Sequence, residues 1–205
     1  MNYRSKVVPT WCPGCENFLI YAGLQKALEE LNFAEENVLI VYDIGCAGNM
    51  ADFLNINGIH GLHGRSIPVA MGAKLANEKL NVIVIGGDGG MYGEGLNHLI
   101  AAARMNIDIT VIVANNFLYS LTTGQTSPTT PQGAKTKSTP QGNVNVPINA
   151  EKLIESVNEK AWTRTMKKVD VATVAKAIVE AIKNDGFSLL EFQQVCVTFG
   201  KQLKN

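Results

Sequence analysis

The stretch NVIVIGGDGG, Asn81 to Gly90, runs four β-branched residues into a glycine-rich turn that holds one carboxylate, Asp88. An apolar run this short and this rich in Val and Ile reads as a strand buried on both faces, and the glycines end it. EGLNHLIAAARM, Glu94 to Met105, then has helical spacing, and DITVIVANN, Asp108 to Asn116, is a second buried strand closed by an asparagine pair. A helix of roughly 12 residues carries the chain ~18 Å one way and a strand of about six returns it ~20 Å. Asp88 and Asn116 are therefore expected side by side at the carboxyl edge of two neighbouring parallel strands, where open α/β sheets take their ligands.

The same alternation extends in both directions. NFLIYAGLQKALEEL (17–31) reads as a helix, VLIVYD (38–43) as a strand and SIPVAMGAKLAN (66–77) as a helix. After a Thr-, Ser-, Pro- and Gly-rich stretch from Tyr119 to about Ile148 come AEKLIESVNEK as a helix, AWTRT as a strand, DVATVAKAIVEAIKNDG as a helix and SLLEFQQV as a strand. Strands alternating with helices predict a doubly wound, mainly parallel sheet with helices on both faces. The polar stretch is an excursion within one domain spanning residues 1–205, of the length that loops with a function have.

With 205 residues, 46% hydrophobic and 18% charged, the chain can bury a full core without covalent staples. Eighteen basic and eighteen acidic side chains cancel, which argues against nucleic acid or an anionic membrane as partner. The first ten residues lack an apolar core of the signal-peptide kind, and no apolar run reaches the ~18 residues that would span a bilayer. The expectation is a cytoplasmic protein. In a reducing compartment its four cysteines, Cys12, Cys15, Cys46 and Cys196, read as ligands, catalysts or core residues rather than disulfides.

Asp88, Asn116 and a nearby backbone carbonyl are hard oxygen donors suited to Mg²⁺, an ion that prefers to be shared with phosphate oxygens. The glycines let a phosphate approach the backbone, and the following helix offers free N–H groups and the positive end of its dipole. The inference from the residues is a diphosphate held through a metal. A plain turn at GGDGG is the alternative for an isolated motif.

GDG followed by NN resembles the thiamine diphosphate fingerprint. With VYDIGCAGNM, GLHGRSIPVAMGAKLAN, YSLTTGQTSPTTPQG, WCPGC and QQVCVTF, the sequence from about Trp11 to Phe199 is similar to the β subunits of 2-oxoacid:ferredoxin oxidoreductases. The resemblance implies the diphosphate-binding fold of thiamine enzymes. It implies Mg²⁺ on Asp88, Asn116 and the carbonyl of Leu118, and the diphosphate against Gly87, Gly89 and Gly90, with Ser120 and Leu121 close by. It places Ile44, Gly45, Cys46, Ala47, His63, Gly64 and Arg65 around the thiamine, and one [4Fe–4S] cluster on Cys12, Cys15, Cys46 and Cys196. It further implies coenzyme A-dependent oxidative decarboxylation of a 2-oxo acid such as pyruvate or 2-oxoglutarate, with ferredoxin as electron acceptor. The glutamate that activates thiamine comes from an α-type partner subunit in this family, and no motif here supplies it. Many relatives also run on beyond the fourth cysteine into a tail that covers the cofactor or partner contact.

Three positions depart from the family's usual pattern. Glu16 follows the second cysteine where a glycine is common, Gly90 stands where many relatives have an acidic residue, and Arg104-Met105 replaces paired arginines. A carboxylate beside a cluster lowers its reduction potential if it points inward. Two other readings are open: a non-oxidative thiamine-dependent decarboxylase subunit with incidental cysteines, and a zinc-stapled interaction domain. His60 and His63 could form a metal pair, although the glycines around them disfavour a helix. His98 reads as a packing residue, and Lys135 and Lys137 as anion contacts or a solvated basic loop.

Overall fold

The computed structural model describes residues 3–167 and 170–203. Eight strands and five helices follow in the order α1 (Asn17–Leu31), β1 (Val38–Tyr42), β2 (Gly58–His60), α2 (Ser66–Ala76), β3 (Asn81–Gly87), α3 (Leu96–Arg104), β4 (Thr110–Asn115), β5 (Leu118–Tyr119), β6 (Gln125–Thr126), α4 (Ala150–Val157), β7 (Trp162–Lys167), α5 (Val171–Lys183) and β8 (Ser188–Gln193). Six strands form one sheet in the order β2-β1-β3-β4-β8-β7, with every pairing parallel.

Successive residues of the central strands feed opposite faces, as the pleat demands. Ile40, Ile83, Ile112 and Leu190 pack with α1 and α5 through Leu24, Leu28, Val174 and Ile178. Val41, Val84, Val111 and Leu189 pack with α2, α3 and α4 through Ile67, Leu99, Ala102 and Ile154. Because both faces are covered, the strands read as continuous apolar runs. Local signals set the helix starts: Asn149 Oδ1 accepts from Lys152 N at 3.0 Å to cap α4, and Asp170 Oδ1 accepts from Thr173 N at 2.8 Å to cap α5.

The strand order reverses between β1 and β3, so the segments leaving these two strands diverge and open a crevice at the carboxyl edge. Two departures from the sequence reading lie near it. The chain leaves β3 through a π-helical turn, Gly89–Glu94, before α3 begins at Leu96 rather than at Glu94. Gly95 N donates to Gly90 O five residues back, at 2.8 Å; a run with four glycines has little α-helical preference to resist that wider turn. The polar stretch after Tyr119 is also more ordered than its composition suggests. β5 and β6 pair antiparallel, and Thr126 Oγ1 lies 2.6 Å from both Thr136 Oγ1 and Thr139 Oγ1.

Candidate functional site

Asp88 leaves the end of β3 and Asn116 follows the end of β4, and the structure brings them together as the spacing predicts. Gly87 pairs with Ala114 in the sheet register, and Asn116 N lies 3.4 Å from Asp88 Oδ1. Asp88 is fully buried, and burial pushes its carboxyl up to about 6, against hydrogen bonds that pull it down. A buried carboxylate with this donor set around it suits a bound cation. Leu118 lies beside it, and Ser120 Oγ donates to Asn116 Oδ1 at 2.8 Å. Thr129 Oγ1, 2.7 Å from Asp88 Oδ2 and 2.9 Å from Asn115 Oδ1, orients the carboxylate from behind. Sequence reasoning missed Thr129, which sits in the polar loop 41 residues away with no spacing to reveal it.

Ile44, Gly45, Cys46, Ala47, His63, Gly87, Asp88, Gly89, Gly90, Asn116, Leu118, Ser120 and Leu121 line one cavity at the crevice. Gly64 and Arg65 stand at its margin, tied by Gly64 N to Asp43 Oδ1 at 2.7 Å and by Arg65 Nη1 to Glu94 O at 2.8 Å. A Cβ at position 90 would lie 1.6 Å from Asp43 Oδ2, so a side chain there requires the Asp43 carboxylate to move.

The four cysteines, far apart in sequence, surround a second cavity of about 210 Å³. All four are free thiols. Burial, then the fields of Cys15, Cys196 and Cys12, push Cys46 up to about 11. Cys15 is raised by burial and by the neighbouring sulfurs and Glu16, while the N–H of Asn17 pulls it down. Glu16 thus acts on Cys15, as the weakest of these influences. Thr198 Oγ1 donates to Cys12 Sγ at 3.1 Å and Phe199 N to Cys196 Sγ at 3.3 Å. Among the described residues no three His, Cys, Asp or Glu side chains converge as one metal ion would require.

The two cavities share a wall. Asn17, Cys46, Asn116, Ser120, Leu121 and Gln194 line both. Gln194 Nε2 donates to Asn17 Oδ1 at 2.8 Å, both residues being buried. This amide pair ties Cys15, two residues before Asn17, to Cys196, two residues after Gln194. It joins positions 177 apart and carries no sequence signal.

The remaining candidates separate. His60 is exposed on the edge strand β2, whereas His63 turns to Asp43, so the two do not pair as metal ligands. His98 is half-buried on α3. Lys135 is exposed, and Lys137 Nζ donates to Thr123 Oγ1 at 2.6 Å on the exposed face of the loop.

A crevice at the strand-order reversal, with a buried carboxylate and an asparagine at its rim, defines a thiamine diphosphate-binding domain. Residues 43–192 match the thiamine pyrophosphate enzyme family, C-terminal TPP binding domain. The chain belongs more narrowly to the β subunits of the 2-oxoacid:ferredoxin oxidoreductases. It is 44% identical to the 2-oxoacid:ferredoxin oxidoreductase subunit beta of Saccharolobus solfataricus, over 92% of this chain and 62% of that protein. It is 40% identical to the 2-oxoglutarate synthase subunit KorB of Archaeoglobus fulgidus, over 95% of this chain and 73% of that one. A solved 2-oxoglutarate:ferredoxin oxidoreductase from Magnetococcus marinus, with 2-oxoglutarate, coenzyme A and succinyl-CoA bound, superposes with a TM-score of 0.92 at 32% identity, covering 96% of this chain and 67% of that one. The chain thus spans 62% of the length of the Saccharolobus relative. Among the described residues no helix is long and apolar enough to cross a membrane.

Proposed function

We propose that this chain binds thiamine diphosphate with Mg²⁺ and one [4Fe–4S] cluster as the β subunit of a 2-oxoacid:ferredoxin oxidoreductase. The observation that carries the reading is the wall common to the two cavities, with Cys46 facing both. Thiamine diphosphate, when bound, supplies a carbanion that attacks the ketone of a 2-oxo acid and takes up the electrons left by departing CO₂. Asp88 and Asn116, with the carbonyl of Leu118, would hold Mg²⁺ against the diphosphate, and Thr129 would fix the carboxylate. Gly87, Gly89 and Gly90 keep the backbone clear for the phosphates. Cys12, Cys15, Cys46 and Cys196 would hold the cluster across the shared wall from the thiamine cavity, where it would supply a one-electron acceptor. Four cysteines lining one cavity supply the four thiolates such a cluster needs.

The oxidative route requires coenzyme A as acyl acceptor, ferredoxin as electron acceptor and an α-type subunit to contribute the activating glutamate. The free cysteines suit the reducing cytoplasm. The relatives' names make 2-oxoglutarate the first substrate to assay, beside pyruvate. The deciding experiment is metal and sulfide analysis with an absorption spectrum on anaerobically purified protein. About four iron and four sulfide per chain with broad brown absorption are expected. Bound thiamine diphosphate without iron, even after reconstitution, would mean a non-oxidative thiamine enzyme, and stoichiometric zinc without thiamine would mean a structural domain.

A further inference from the structure

Asp43, at the end of β1, is a buried carboxylate at the crevice that the proposed cofactor contacts leave unused. Its side chain is fully buried, its Oδ1 accepts from Gly64 N at 2.7 Å, and its Oδ2 stands 3.3 Å from His63 Nδ1. The fold clears space for it with glycines from three segments. A Cβ at Gly48 would meet Asp43 O at 1.6 Å, one at Gly86 would meet Asp43 Cβ at 2.8 Å, and one at Gly90 would meet Oδ2 at 1.6 Å. A carboxylate seated this firmly on Nδ1 fixes the imidazole's orientation and its Nδ1–H tautomer. His63 lines the thiamine cavity, and its Nε2 has no hydrogen-bond partner among the described residues. Glu94 Oε2 lies 3.9 Å from that nitrogen, on a half-exposed carboxylate.

We propose that Asp43, His63 and Glu94 form a proton route from the thiamine cavity to water, with Asp43 as the positioning residue and His63 Nε2 as the carrier. The inference rests on the oxidoreductase reading. In that reaction a 2-oxo acid anion, a thiol and two oxidised one-electron acceptors give a thioester, CO₂, two reduced acceptors and one proton. The bond to the carboxylate carbon breaks, a carbon–sulfur bond forms, and the thiol's proton must leave a cavity closed beneath by the sheet. His63 takes it on Nε2 and yields it to Oε2 of Glu94, which returns it to solvent.

The groups facing His63 fit this assignment. Asp43 lies on one side and Glu94 on the other, while the Arg65 guanidinium is occupied by the carbonyls of Gly64 and Glu94. The Tyr119 ring stands edge-on at 6.0 Å, with its hydroxyl on Glu94 and its phenol held neutral by burial and by Glu94, Asp88 and Asp43. Burial pushes the Asp43 carboxyl up, opposed first by the Gly64 N–H and then by His63, so its charge depends on those two partners.

Two measurements test the route. The chain has three histidines, so ¹⁵N-labelled imidazole resonances can be followed one by one in the full chain. His63 is expected as the Nδ1–H tautomer, and Asp43→Asn should abolish that preference. In the assembled, cofactor-loaded complex, proton release followed with an indicator dye should lag acceptor reduction in Asp43→Asn and more so in His63→Gln. It should lag in Glu94→Gln as well, at a half-exposed side chain. Proton release that keeps pace with acceptor reduction in both His63→Gln and Asp43→Asn overturns the route, as does a loss of thiamine diphosphate affinity with no lag, which would make the pair a diphosphate clamp. If Asp43→Asn does not fold, the His63 and Glu94 variants decide. A wild-type complex that reduces no acceptor with any 2-oxo acid refutes the oxidoreductase reading instead, and the imidazole resonances still report on the pair.

Discussion

Gly90→Ala tests the packing at the crevice most directly. The added methyl would overlap Asp43 Oδ2 at 1.6 Å and approach His63 Nδ1 at 3.0 Å, so the carboxylate must swing away from its seat. Overpacking of this kind costs about 1–3 kcal/mol. Displacing Asp43 also breaks the bond from Gly64 N, a charge-assisted contact contributing about 1.5–3 kcal/mol. The helical preference of Ala over Gly returns roughly 1 kcal/mol in the π-helical turn. The net loss should be about 3 kcal/mol, a fall in Tm of about 6–12 °C for a domain of this size. Thermal and urea unfolding of the apo protein read it. The same substitution on an Asp43→Ala background should cost much less, since only the 3.0 Å approach to His63 Nδ1 is left, and the cycle should show a coupling of a few kcal/mol. A Gly90→Ala protein that melts with the wild type would refute the argument, and an equal penalty on both backgrounds would place the clash elsewhere.

Asp88→Ala should abolish Mg²⁺-dependent thiamine diphosphate binding in calorimetry and leave the iron content unchanged; wild-type affinity would remove Asp88 from the metal site. Thr129→Val, which takes away the hydroxyl behind that carboxylate, should weaken the same binding by about 10–100-fold, the usual effect of an outer-shell partner. Gln194→Leu leaves Asn17 Oδ1 buried without its donor, at a cost of about 1–3 kcal/mol, and loosens the tie between the cysteine segments. Iron should be lost faster on exposure to air than from wild type, and equal retention with equal Tm would show that the pair does not hold the segments together.

The sheet was legible because β3 and β4 declare themselves as β-branched runs with an amphipathic helix between them, and the rise of each element forces their ends together. Local periodicity alone suffices to put Asp88 beside Asn116. Asp43 shows where it stops. The residue is visible in VYDIGC, at the end of a strand, but its partners His63 and Gly64 arrive from beyond β2, and its seat depends on glycines at 48, 86 and 90. Asn17 and Gln194 are further out of reach, since an amide pair spanning 177 positions has neither period nor motif. The π-helical turn was hidden for another reason: its glycines announce a break in α-helix without saying which wider geometry replaces it.

Cys46 follows from topology as much as from chemistry. The sheet changes direction between β1 and β3, so the segment leaving β1 must pass along the crevice before it reaches β2. Any residue a few positions after β1 therefore faces whatever binds at the end of β3. Trp11 Nε1 donates to Cys46 O at 2.6 Å, and this bond draws the segment preceding Cys12 against the same stretch. The N-terminal cysteines are thus held to the one cysteine that the switch point delivers to the cofactor cavity. The chain end carrying Cys196 is brought up by Gln194 N on Asn115 O at 2.8 Å, which extends the β4–β8 pairing by one step to the edge where Asn116 begins. A substitution that shifts β1 against β3 would therefore change both sites at once, as would one at Ser120 or Leu121, which line both cavities.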